Sequence, residues 1–178
     1  MADHIIDTNV LLAASTIDDE SRFEGADHIP VEQLILVLNW LTDFRDDNDR
    51  LLVLDAAYRL LNEYKNKLGD NADNNIGLRV IFDKIDANAA RWVDIPCDAK
   101  GREKLPHSLD QAFDYRGDRK IIALSIADGL KNSIVNACDT DWYDWESKLV
   151  AEGIIVEQII GKWCQTNWMK KKQRQATD

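Results

Sequence analysis

Five acidic residues stand where the chain could use them for chemistry. Asp7 closes the short apolar run His4-Ile5-Ile6, and Asp139 and Asp141 follow Ile134-Val135-Asn136-Ala137 directly. Glu63 falls two turns into a helical stretch, and Asp118 opens another whose apolar face carries Ile121 and Ile122. Carboxylates brought together repel one another unless cations neutralise them, and hard oxygen ligands of this kind suit Mg²⁺ or Mn²⁺. Taken singly, each acid has a plainer reading. Asp7 and Asp139 are natural turn formers or helix caps, Asp118 is favoured in a first helical turn by the macrodipole, and Glu63 reads as a solvated helix residue. The case for a metal site rests on the set.

Elements that bring such residues together can be read from the apolar pattern. His4-Ile5-Ile6 reads as a strand, and Val10, Leu11 and Leu12 resume the pattern as a helix start. Pro30 suits the first turn of a helix running to about Phe44 with Leu34, Leu38 and Leu41 at near-helical spacing. Leu51-Leu52-Val53-Leu54 is a continuous apolar run, as in a strand buried on both faces. Asp55 can cap the helix after it, with an apolar stripe of Ala57, Leu60, Leu61, Tyr64 and Leu68. Residues 76–90 read as a further helix, Trp92 to Ile95 as a strand stopped by Pro96, and residues 97–112 as irregular. A helix from Asp118 to near Gly129, a strand at 134–137, a helix to about Val150 and a strand from Ile154 to Ile160 follow. Strands and helices alternate throughout, which predicts a three-layer α/β/α fold with a mostly parallel central sheet. In such sheets, functional residues collect beyond the carboxyl ends of the strands, where Asp7, Asp139 and Asp141 fall.

Composition narrows the classes. The chain has 178 residues with 45% hydrophobic and 30% charged content, 3 Pro and 8 Gly, which suits one compact domain and not a fibrous or disordered chain. The longest apolar run, Leu34 to Leu38, is far too short for a bilayer span, and the N-terminus lacks the pattern of a secretory signal. Cys97, Cys138 and Cys164 match neither a CxxC pair nor a disulfide framework, so a cytoplasmic setting without membrane partners is expected. His4, His28 and His107 are equally scattered, which leaves a His/Cys zinc site without support. The formal net charge is -10, against broad attraction to nucleic acid. Residues 162–178 oppose it with five basic residues against Asp178, so the chain divides into a body at 1–161 and a basic tail.

The ordered residues resemble the PIN-domain nucleases. His4-Ile5-Ile6-Asp7-Thr8-Asn9-Val10-Leu11-Leu12 is similar to that family's opening strand and DTN. The resemblance continues through Glu63 in Leu60-Leu61-Asn62-Glu63-Tyr64, Asp118 in Asp118-Arg119-Lys120-Ile121-Ile122, and Asp139-Thr140-Asp141-Trp142. It implies a Mg²⁺- or Mn²⁺-dependent endoribonuclease, in some branches the toxin of a toxin–antitoxin pair. Asp7, Glu63, Asp118 and Asp139 would be the catalytic and metal-binding acids, with Asp141 an auxiliary ligand and Thr8 and Asn9 orienting the cluster. Ala137 stands where the family usually has Thr or Ser, and Asp110 and Asp114 lie close enough to Asp118 to take its place. RNA is the implied substrate, and a homodimer or an antitoxin-like protein are the candidate partners.

Candidate phosphate contacts are Arg116, Arg119 and Lys120 beside Asp118, and Lys170, Lys171 and Lys172 in the tail, where Trp168 adds an aromatic ring. Two competing readings fail on single residues. A phosphatase of the haloacid dehalogenase class needs an acid where Asn9 stands, and Asp43 to Asp49 lacks the Gly and closing Glu of an EF-hand loop. The remaining alternative is a noncatalytic PIN-like module that binds RNA or a protein.

Overall fold

A computed structural model of the protein describes residues 3–16, 28–69, 75–113 and 116–176. Among them the chain forms β1 (Asp3–Ile6), α1 (Thr8–Ser15), α2 (Val31–Asp46), β2 (Leu52–Asp55), α3 (Arg59–Leu68), α4 (Ile76–Asp86), β3 (Ala90–Val93) and α5 (His107–Asp110). Next come α6 (Arg116–Ala127), β4 (Asn132–Asn136), α7 (Trp142–Ala151), β5 (Ile155–Gln158) and α8 (Gly161–Gln175). The five strands form one parallel sheet in the order β3-β2-β1-β4-β5. Parallel neighbours require crossovers, and right-handed crossovers on both sides of β1 put helices on both faces. Accordingly α1, α2, α3 and α4 pack together, while α6 packs on β4 and α7 on β5. The result is the expected three-layer α/β/α architecture. None of the described helices is long and apolar enough to cross a membrane.

Burial follows the layers. All residues of β2 and β4 are buried, whereas β3 and β5, at the sheet edges, are only partly so. One apolar core runs from Ile5 and Ile6 through Leu41, Leu54 and Ile81 to Ile122, Ile134 and Leu149. Burying side chains of this size contributes about 1.5–3 kcal/mol each relative to exposure. At Gly77, α4 comes so close to α1 that an added Cβ would lie 2.7 Å from the Leu11 carbonyl oxygen. That contact fixes α1, and with it the strand exit that α1 begins from.

Several boundaries move from their expected places. The third strand is Ala90–Val93, two residues earlier than Trp92 to Ile95, because pairing with β2 sets it: Leu52 aligns with Ala90 and Asp55 with Val93. The helix before it stops at Asp86, since Asn88 takes a left-handed φ of +57. The stretch taken as irregular holds α5 and an antiparallel bridge between Cys97 and Glu103. The basic tail is a helix, α8, anchored by the fully buried Cys164 and by a hydrogen bond from Trp168 Nε1 to Asp144 at 2.6 Å.

Candidate active site

Acids from both halves of the chain gather where β1 and β4 leave the sheet. The Asp7 N–H donates to the Val135 carbonyl at 3.0 Å, the last rung between the two strands. Its backbone then turns into α1 with Asp7 as the N-cap, accepting from the Asn9 N–H at 3.3 Å. The other Asp7 oxygen accepts from Trp142 Nε1 at 2.8 Å. Tyr64, fully buried, donates its hydroxyl to the Ile6 carbonyl and so ties α3 under the same corner. Asp55, expected as a cap, performs that role: its oxygens accept the N–H groups of Arg59 at 2.9 Å and Leu60 at 2.7 Å.

The exit of β4 is pinned twice. Asn9 Oδ1 accepts the N–H of Ala137 at 2.9 Å and of Cys138 at 3.2 Å, joining the two strand exits side by side. Asn136 clasps Asp139, accepting from its N–H at 3.1 Å and donating to its carbonyl at 2.8 Å. The Asp139 carboxylate in turn accepts the Asp141 N–H at 2.8 Å. These bonds hold Asp139 beside Asp7 without help from the hydroxyl that Ala137 lacks.

Glu63 is held by two donors, Thr8 Oγ1 at 2.8 Å and the ammonium of Lys120. Asp7, Glu63, Asp118 and Lys120 line a single open cleft of about 770 Å³. Electrostatics ties Asp139 to the same place. Burial pushes the Asp7 carboxyl up to about 7, and the charges of Asp139 and Asp118 add to the rise against the Trp142 and Asn9 bonds. Asp118 is pushed up to about 6, first by burial and then by Asp139, Asp141 and Glu63. The Asp139 carboxyl is also raised, chiefly by burial. Among the described residues no ready-made group of three or more His, Cys, Asp or Glu stands in metal-holding geometry. The donor chemistry still fits a hard divalent cation, because Asp7, Asp118 and Asp139 are oxygen-ligand acids in one neighbourhood whose carboxyls are all raised, chiefly by burial, so that a cation there would offset the cost of their ionisation.

The remaining candidates fall elsewhere. Asp141 is exposed and pairs with Lys171, and Lys172 pairs with Asp144 at 2.8 Å. Lys170 is exposed on α8. Arg119 is not available to a phosphate, being buried with its guanidinium bound to the Glu103 and Phe113 carbonyls and to Asp110. Lys120 is likewise buried and faces Glu63. Asp110 does not replace Asp118, since the Arg119 bond claims it and holds its carboxyl below the usual range. Asp114 and the Arg116 side chain lie outside the described residues.

Sequence reasoning missed the supporting residues Trp142, Asn136 and Tyr64. For Trp142 the signal was its position directly after Asp139-Thr140-Asp141, which places an indole N–H one turn past the strand exit. Comparison of the chain with protein-family models, with curated proteins and with solved structures finds no match.

Proposed function

We infer that the chain is a divalent-metal-dependent nuclease that hydrolyses RNA phosphodiesters, arranged like the PIN-domain enzymes its sequence resembles. The observation that carries this reading is the cleft that Asp7, Glu63 and Asp118 share at the carboxyl edge of a parallel sheet, with Asp139 near enough for its charge to act on Asp7 and Asp118. Uncompensated acids in that arrangement are costly to a fold, and a cation offsets the cost. Asp7, Asp118 and Asp139 would hold Mg²⁺ or Mn²⁺. When bound, the ion would lower the pKa of a water and neutralise charge developing on the phosphodiester. Trp142 and the Asn9 N–H orient Asp7, and Thr8 orients Glu63. The Lys120 ammonium, buried against Glu63, supplies a fixed positive charge in the wall of the acidic cleft.

One observation favours a second reading, a noncatalytic binding module. Lys120 and Lys171 already occupy two of the five acids, as in a site that manages without metal. Cleavage of single-stranded RNA with Mn²⁺ against EDTA separates the two. The nuclease reading expects metal-dependent cleavage that Asp139→Asn reduces by orders of magnitude while far-UV circular dichroism stays unchanged. Equal products with metal, with EDTA and with Asp139→Asn would overturn it.

A further inference from the structure

Lys120 stands between two clefts. It lines the acidic one with Asp7, Glu63 and Asp118, and it lines a second, of about 810 Å³, with Arg59, Arg119 and residues 98–103. The acids around the second cleft are already engaged. Glu103 pairs with Arg59 at 2.8 Å, and Asp98 accepts the N–H groups of Lys100 at 2.8 Å and Arg102 at 2.9 Å. Asp110 is bound by the Arg119 guanidinium. Lys120 reaches across to Glu63 on α3 instead, and only 7% of the residue is exposed.

Both Glu63 oxygens have a donor. Oε1 accepts from Thr8 Oγ1 at 2.8 Å and Oε2 from the Lys120 ammonium. Thr8 is itself buried at the first position of α1, so the corner that sets Asp7 also carries this hydroxyl. Turning Glu63 toward an ion would leave the ammonium buried without its counter-charge, a strongly unfavourable state. An ion on the same carboxylate would also stand beside that ammonium, where like charges repel. The mutual influence of the acids divides in the same way. Asp139 and Asp118 act on Asp7, and Asp139 and Asp141 act on Asp118 ahead of Glu63.

We propose that Glu63 is the counter-ion of Lys120 and not a metal ligand, so that the site takes a single divalent ion, on Asp7, Asp118 and Asp139, with the Lys120 ammonium as the fixed positive charge beside it. This rests on the metal-dependent reading, and it departs from the ligand set that the sequence resemblance implies, in which Glu63 joins the aspartates. Three aspartates nearly balance a divalent ion. A further bare carboxylate would add repulsion that one ion does not offset, and the ammonium removes it. Lys120 thus does at Glu63 what a second cation would do, as part of the chain. Glu63 and Lys120 are positioning residues: neutral as a pair, they fix the wall of the cleft in which the ion would bind.

Binding of Mn²⁺ alone to the metal-free protein, followed by calorimetry at about pH 8, tests this without any cleavage. The wild type should bind a single Mn²⁺ per chain. Glu63→Gln should weaken that binding, because it leaves the ammonium unpaired beside the ion. Adding Lys120→Met removes the stranded charge, so Glu63→Gln/Lys120→Met should bind a single Mn²⁺ with less than about a tenfold loss, whereas losing a ligand or its support costs at least that. Gln keeps an acceptor for Thr8 and Met keeps an unbranched stem, and urea unfolding in EDTA checks that the double variant folds. A second ion bound to the wild type would overturn the proposal whether or not any variant folds. A tenfold or greater loss in the folded double variant would overturn it by restoring Glu63 as a ligand. In both cases the nuclease reading stands. A double variant that binds no tighter than Glu63→Gln would overturn it by taking the ammonium away from the ion. A wild type that takes up no Mn²⁺ would overturn it together with the metal-dependent reading.

Discussion

Asp7→Asn should make the metal-free protein more stable at alkaline pH and slightly less stable in acid. In the fold the Asp7 carboxyl titrates near 7 rather than at 3.8, since burial and the charges of Asp139 and Asp118 oppose ionisation. Raised above its unfolded value, this acid contributes nothing below about pH 4, where both states are protonated. Between about 4 and 7 the unfolded chain gives up its proton while the fold retains it, so stability falls as pH rises and levels off above about 7. A shift of that size corresponds to about 4 kcal/mol of destabilisation at alkaline pH. The amide in Asp7→Asn keeps an oxygen for Trp142 Nε1 but loses the weaker bond from the Asn9 N–H, a loss of about 1 kcal/mol. The variant should therefore gain roughly 3 kcal/mol at high pH and lose about 1 kcal/mol at low pH. Urea unfolding of both proteins in EDTA, near pH 8 and near pH 4, measures the two differences. Asp118 and Asp139 titrate in both proteins and largely cancel. A variant that is destabilised equally at the two pH values would refute the reasoning, because the buried charge would then carry no penalty.

The same protons couple to metal. If Asp7, Asp118 and Asp139 hold Mn²⁺, calorimetry in buffers of different ionisation enthalpy should detect proton release near pH 6, and affinity should rise with pH until about 7, then level off. Trp142→Phe keeps the ring and removes the donor to Asp7, so stability at alkaline pH should drop by about 1.5–3 kcal/mol, as for a hydrogen bond to a charged group, read from urea unfolding. Lys84→Met should destabilise by about 2–4 kcal/mol at every pH between 5 and 8 without changing cleavage. The buried ammonium donates to the Asp47 carbonyl at 2.6 Å and the Arg50 carbonyl at 2.8 Å, and lies 4.2 Å from the Phe44 ring centre.

What the sequence made legible was local. Asp7 and Asp139 stood out because a short apolar run ending in an acid is both a strand and a strand exit, and parallel sheets collect such exits on one edge. Asp55 was readable as a cap for the same reason. Arg119 and Lys120 were misplaced because their partners are distant in the chain: Lys120 meets Glu63 57 residues away, and Arg119 meets Glu103 and Asp110. Charge at a helix start looks solvated when only neighbours within a turn are visible. The tail misled through composition, since its lysines obscured an inner face on which Cys164 and Trp168 pack.

The same limit explains why the second cleft was invisible while the acids were not. Asp7, Asp118 and Asp139 sit at positions that local pattern assigns to an element's end. Lys100 and Arg102 belong to a stretch without period, and their place in the wall of that cleft depends on where Asp98 folds the loop and on Arg59 approaching from α3. Arg59 itself is set by Asp55, which caps the helix start that carries it, so the strand exit of β2 governs the basic cleft as that of β1 governs the acidic one. Removing the Asp55 cap would then shift Arg59 in both clefts at once. The two clefts together depend on three adjacent strand exits of one sheet, β2, β1 and β4, and on the loop that follows β3.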